Sequence, residues 1–264
     1  MNVNGRIALT PKKEQLKNVI ILLCTVALFL ISIRMLDLDV ATFISRLERL
    51  PTVLSLFMAL EFSVVREGMI QLFISIAMAI GALFIGGILS LILAFLAAEN
   101  TAPSKVVATI IKAFISTVRA IPNLVLILLI VASLGLGYIA AVASLTLSTM
   151  GYLTRAFAST IEEQPSSLTE TMRATGANWF QIVIHGFFPN VFPSFLAWIS
   201  IRLELSISDS ITLGVIGAGG IGTMLSRAIR HHRHAELSTL LLIIFVAVLI
   251  IEILLNRIKQ RTNT

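Results

Sequence analysis

The 264-residue sequence is poorest in charge: 13% of its residues are Asp, Glu, Lys or Arg, against about a quarter in an ordinary soluble domain. Set beside a hydrophobic content of 57%, that shortage excludes a water-soluble globular domain as the main content of the chain. Cysteine is almost missing. The single Cys24 lies inside an apolar run, which rules out a disulfide framework or a cysteine metal cluster within one chain and leaves the redox compartment undetermined. Aromatic residues make up 7%, so the net charge of +6 comes without the interleaved stacking residues of a nucleic-acid surface. The bases sit in loop-like segments, where membrane proteins keep Lys and Arg. No Walker phosphate-binding motif occurs, so any ATP hydrolysis belongs to another chain.

What the sequence does contain is a series of long apolar runs, and a helix that crosses a bilayer needs roughly 20 mostly apolar residues. Runs at 19–33, 68–98, 120–134, 138–154, 191–213 and 237–251 predict an all-α membrane protein with about six transmembrane helices and both termini cytoplasmic. Residues 1–17 form a cytoplasmic tail in which Lys12, Lys13 and Lys17 outweigh Glu14. Residues 18–36 read as a retained anchor, because no small-residue cleavage site follows them. The mixed stretch 37–68 predicts one or two amphipathic helices on the outer surface. A core follows at 69–256, with a cytosolic loop at 156–190, and residues 257–264 form a second cytoplasmic tail. Against this topology, the outer segment near 223–236 carries Arg227, Arg230 and Arg233 against Glu236, contrary to the usual excess of bases inside.

Local features refine this outline. Pro122 predicts a kink just after "RAI". Lys105, Lys112 and Arg119 recur every seven residues along one helical stripe, which faces either the cytosolic surface or a water-filled cavity. Ser167 and Glu170 have the spacing of a capping box, and Gly176 is placed to end the short helix they would open. Arg202, Ser206 and Asp209 share a helical face, with Glu204 pointing elsewhere. Two readings stand for them: an internal Arg–Asp ion pair that fixes packing, or an arginine lining a path for an anion.

"GVIGAGGIG" at 214–222 fits the G-x-G-x-x-G spacing through Gly217, Gly219 and Gly222. A dinucleotide site needs a preceding strand, a soluble helix and a parallel sheet, none of which this apolar context supplies. The glycines, Gly220 included, predict instead a tight helix-ending turn whose backbone lines or closes a cavity. His231, His232 and His234 with Glu236 lack the ligand spacing of a zinc site, and a solvated basic outer loop is the competing reading.

The loop "QPSSLTETMRATGANWFQIVIHGFFPNVFP" resembles the EAA motif of ABC-importer permeases, with Glu170 in the acidic place, Thr171 and Met172 where two alanines are usual, Gly176 in the glycine place and Pro189 further on. The likeness extends to "RAIP", to "STMGYLTRAFASTIEE" and to "GAGGIG", and covers roughly 70–251. It implies the type I importer permease fold. The loop would then be a coupling helix, with Ser167, Glu170, Arg173, Ala174, Gly176 and Pro189 contacting an ATPase. Arg202, Glu204, Ser206 and Asp209 would line the translocation path, and Gly217, Gly219, Gly220 and Gly222 would form a gate or turn. The implied assembly is a bacterial inner-membrane complex with a cytosolic ABC ATPase dimer holding ATP and Mg, an extracytoplasmic substrate-binding protein and a second permease subunit. The permease itself would hold no cofactor and perform no catalysis.

Within that family the sequence is most similar to phosphonate-type permeases, where "RLELSISDSITLGVIGAGGIG" keeps Arg202 and Glu204 but places Leu203, Ser206 and Ser208 where tryptophan, asparagine and arginine are typical. Phosphonate is therefore the first expected substrate, followed by phosphite, phosphate or methionine. An intramembrane metalloenzyme and an ATP-independent secondary transporter are the rivals from other classes.

Overall fold

The computed structural model describes residues 12–36 and 39–262. Residues 1–11 of the expected N-terminal tail, 37–38 of the outer segment and 263–264 of the C-terminal tail lie outside them. Described residues are helical almost throughout, with no strand among them. The chain divides into two compact units, Met1–Ser55 and Leu56–Thr264.

The first unit holds α1 (Lys12–Met35), α2 (Val40–Leu47) and most of α3 (Leu50–Phe57). From Glu14 onward the side chains of α1 are exposed, giving the all-round apolar surface that suits lipid. Two short helices occupy the stretch expected to be amphipathic.

The second unit is built from α4 (Val65–Ala97), α5 (Lys105–Ala120), α6 (Asn123–Leu134), α7 (Tyr138–Glu162), α8 (Ser166–Ala174), α9 (Trp179–Ile216), α10 (Ile221–Arg230) and α11 (His234–Thr262). Its centre is the pairing of α4 with α7. Lipid chains are as apolar as leucine, so helices in a membrane gain most by close backbone approach over small residues. Ser75, Ala79, Ala82, Gly86, Ser90 and Ala94 recur every three or four positions of α4, and all are buried. Ala140, Ala141, Ser144 and Thr149 are likewise buried in α7, and Ser90 Oγ donates to the Met150 carbonyl at 3.3 Å. A β-carbon at Gly86 would lie 2.9 Å from Thr149 Cβ, which measures how close the helices come.

Among the described residues four helices, α1, α4, α9 and α11, are long and apolar enough on their own to cross a membrane, and α5 with α6 forms a fifth candidate that is sharply broken. Helix α7 has the length, at 25 residues, but carries many small and hydroxyl side chains because protein covers most of it. At Pro122 the expected kink is a full break: α5 and α6 meet at 92°. Ring geometry forbids the proline N–H bond and pushes the preceding residue to an extended conformation, so Ile121 at ψ 123° ends α5.

Helix α9 starts at Trp179, earlier than the apolar run at 191–213 indicates. Its N-terminus is fixed by a capping box in which Asn178 accepts from the Gln181 N–H and Gln181 accepts from the Asn178 N–H. Residues Ile182–Phe187 then wind as a π-helix. Pro189 explains this widening, because its ring would clash with the carbonyl four residues back in a regular α-helix.

Candidate functional site

Three places in the fold concern the residues singled out by sequence. The first is α8, a nine-residue helix with no buried residue. It lies where the C-terminal ends of α4 and α7 meet the start of α9. Leu168 and Met172 turn inward and pack against a core of Phe95, Phe157, Ile161, Phe187 and neighbours. Thr169 Oγ1 donates to the Asn100 carbonyl at 3.4 Å, and Trp179 Nε1 donates to the Thr101 carbonyl at 2.6 Å. Ser167, Glu170, Arg173 and Ala174 are exposed on the outward side, with Gly176 just beyond and Pro189 exposed at the second position of the regular helical part of α9.

The capping box expected from Ser167 and Glu170 does not form. Helix α8 opens two residues earlier, at Ser166 with Pro165 extended in the N-cap place, and no side chain caps it. Ser167 therefore sits inside the first turn, where its hydroxyl cannot reach back to an orphan N–H. The stop signal holds: Gly176 has φ 79°, the Gly176 N–H donates to the Arg173 carbonyl, and the Ala177 N–H donates to the Met172 carbonyl. That is a Schellman closure with glycine in the left-handed position.

Around α8 the links are ionic. Lys112 Nζ lies 2.9 Å from Glu99 Oε1 and 2.9 Å from Glu162 Oε1, joining α5 to the second residue after α4 and the last turn of α7. The Glu162 oxygen also accepts from the Glu99 N–H at 3.0 Å. Lys112 thus answers the stripe question for its own position: it faces a polar cavity and carboxylates, while Lys105 is exposed. Lysine hydrogen bonding and charge hold the Glu99 carboxyl below its usual range.

The second place is Arg202, midway along α9 and 4% exposed. Its Nη2 donates to Asp209 Oδ2 at 3.2 Å and to Ser148 Oγ at 3.2 Å, while Nε donates to Thr149 Oγ1 at 3.0 Å. The Tyr152 ring lies beneath the guanidinium, 5.8 Å from Cζ to centroid. The internal ion pair is therefore present, and the same guanidinium also lines a cavity between α5, α6 and α7. Ser206 is fully buried and its hydroxyl has no hydrogen-bond partner among the described residues. Glu204 is half-buried and belongs to none of this network.

The third place is the glycine turn between α9 and α10. Gly217 has φ 108°, and the Ala218 N–H reaches the Leu213 carbonyl while the Gly217 N–H reaches that of Gly214. This is the same closure used at the end of α8. Past the turn, α10 folds back against α9 so tightly that a β-carbon at Gly222 would lie 2.0 Å from the Ile211 carbonyl oxygen. Gly219 abuts Tyr138, and Gly220 abuts Ser75, whose hydroxyl accepts from the Ile221 N–H at 3.1 Å. The glycines therefore serve close packing, with Ala218 and Ile221 fully buried.

Beyond α10, His232 adopts φ 53° and fills the left-handed position that ends that helix. Arg233 pairs with Glu236 at 3.3 Å. No three His, Cys, Asp or Glu side chains among the described residues are grouped closely enough to hold a metal ion.

Residues 86–263 match the model of the family described as "Binding-protein-dependent transport system inner membrane component", more than half of the chain. The chain belongs to that family. The permease is 32% identical over 215 residues to the phosphite transport system permease protein PtxC of Stutzerimonas stutzeri, covering 81% of this chain and 78% of that one. It is 33% identical over 186 residues to the phosphate-import permease protein PhnE of Mycolicibacterium smegmatis, covering 70% of this chain and 35% of that longer one. Among solved structures, an inward-facing MetNI methionine ABC transporter chain superposes with a TM-score of 0.68 at 23% identity, over 77% of this chain and 99% of that chain. The last of these shows the fold, a type I importer permease. The protein is thus a multi-pass membrane subunit of an ABC importer, similar in sequence to phosphite, phosphate and phosphonate permeases.

Proposed function

We propose that this permease moves a small phosphorus oxyanion, with phosphonate and phosphite as the leading substrates, inward across a bacterial inner membrane. An extracytoplasmic binding protein delivers the anion to the end of the bundle that holds the glycine turn. A cytosolic ABC ATPase dimer, carrying ATP and Mg, docks on α8, and a second permease subunit completes the pore. Both termini then lie in the cytosol.

The observation that carries this reading is the exposed outward side of α8, with Ser167, Glu170, Arg173 and Ala174, on a helix whose inner side is anchored. Force applied there has a direct route. Met172 touches α9 at Gly186, where an added β-carbon would sit 3.6 Å from Met172 Cγ. Helix α9 then runs unbroken for 38 residues, about 57 Å at 1.5 Å per residue, past Arg202 to the glycine turn. One element therefore joins the docking surface to the pore, and alternating access needs no covalent chemistry from this chain.

The test is uptake and ATP hydrolysis by the reconstituted assembly. Methylphosphonate or phosphite should stimulate ATP hydrolysis in the presence of the binding protein, and methionine should not. Gly176→Glu should remove the stimulation while the protein still inserts. Uptake by the permease alone in clean liposomes would replace this reading with that of a secondary transporter.

A further inference from the structure

A cavity of about 230 Å³ opens at the elbow where α5 breaks into α6, walled by Arg119, Pro122, Asn123, Ser148, Tyr152 and Arg202 among others. We propose that Arg119 and Arg202, brought together there against the uncapped N-terminus of α6, form an intramembrane binding site for a small tetrahedral oxyanion. The inference rests on the oxyanion reading above and gives it a location in the permease.

Four observations converge on it. Arg119 makes no ion pair among the described residues, although its side chain crosses α7 where a β-carbon at Gly151 would lie 3.2 Å from its Cγ. Arg119 is itself exposed, so its guanidinium is open to solvent and to a ligand at the mouth of the cavity. Arg202 spends Nε and Nη2 on Thr149, Ser148 and Asp209, which leaves Nη1 outside the described hydrogen bonds. The charges on the walls and their direct partners are two guanidiniums against the one carboxylate of Asp209, so the cavity is net positive.

The fourth observation is the helix end. Helix α6 is 12 residues long and no side chain caps it, so its first N–H groups and the positive end of its dipole point toward the elbow. Pro122 causes the break that creates this end. The cavity has room for an oxyanion with several waters, each water taking about 30 Å³. A free oxyanion and a lipid phosphate share the chemistry this site would recognise, and the test separates them.

The experiment uses the permease assembled with its ATPase in phosphatidylcholine nanodiscs, carrying Cys24→Ser and Asn123→Cys so that both arginines stay in place. The introduced thiol should react faster with an anionic methanethiosulfonate than with a cationic one of similar size. Arg119→Gln should lower that preference roughly tenfold, and Arg119→Lys should keep most of it. Millimolar methylphosphonate or phosphite should slow the labelling, whereas methionine should not. Equal rates for the two reagents, with no slowing by either oxyanion, would overturn the site even if oxyanion-stimulated uptake persists. Slowing by added phosphatidylglycerol with no effect of free oxyanion would assign the elbow to lipid and overturn it as a substrate site. Slowing by free oxyanion in an assembly that transports no oxyanion would keep the site and remove the transport reading.

Discussion

Gly176, after α8, and Gly222, in α10, occupy opposite situations. A β-carbon added at Gly176 would meet nothing within 4 Å, whereas one at Gly222 would lie 2.0 Å from a carbonyl oxygen. Gly176 is needed for its left-handed φ of 79°. Gly222 is needed because two helix backbones touch. An unfilled surround at a fixed turn leaves a surface open to another protein, and a filled one marks where the bundle is locked. The α8 end therefore holds an open turn at Gly176, and the α10 end a locked backbone contact at Gly222.

The largest expected effect tests the locked end. Gly222→Ala should cost about 3 kcal/mol or more, because overpacking here has backbone, not a flexible side chain, to displace. The readout is the yield of monodisperse protein in size-exclusion chromatography and its melting temperature. Gly87→Ala is the control, since nothing lies within 4 Å of that position in α4 and the helix gains propensity. Equal behaviour of the two variants would erase the distinction between the ends.

Next is the pair between them. Arg202→Gln should destabilise the protein by about 3 kcal/mol, because it leaves Asp209 without its cation in a partly buried place. Arg202→Gln combined with Asp209→Asn should recover much of the melting temperature without recovering transport. Full recovery of transport in the double variant would reduce Arg202 to a packing role.

Both ends were legible in the sequence to different degrees. Charge-free runs located α1, α4, α6 and α11, because lipid contact leaves no alternative to apolar side chains. Helix α7 was read from its flanking "GLG" and its lack of charge, though its small and hydroxyl residues serve protein contact. The stripe of small residues in α4, spaced three or four apart, is equally visible as Ser75, Ala79, Ala82, Gly86, Ser90 and Ala94. The capping template fits Asn178 and Gln181 as well as Ser167 and Glu170, and only the former pair forms it. The role of Arg119 depends on a right-angled break and a contact with α7, and periodicity along one helix reports neither.

A smaller effect tests the open end. Gly176→Ala should cost about 1 kcal/mol, the strain of a left-handed residue with a β-carbon, and no steric clash adds to it. Its melting temperature should shift slightly while stimulated ATP hydrolysis falls only in part. If the alanine variant uncouples as fully as Gly176→Glu is expected to, the turn conformation, and not free space for a partner, is what the position supplies.

The smallest expected effect concerns the ionic link beside α8. Lys112 holds the Glu99 carboxyl below its ordinary pKa, first by hydrogen bonding and then by charge. A depressed folded-state value means that the link stabilises the protein above the unfolded carboxylate pKa, about 4.3, and that this share is lost as pH falls through the folded value. The melting-temperature difference between wild type and Glu99→Gln should therefore be positive and flat from pH 7 to pH 5, then close toward zero below pH 4. Glu99 is exposed, so the difference should be small and should shrink further in high salt, where the Debye length falls to about 3 Å at 1 M. A difference that persists below pH 4 would mean that the Glu99 side chain contributes without its charge, since the backbone N–H bond to Glu162 is common to both proteins.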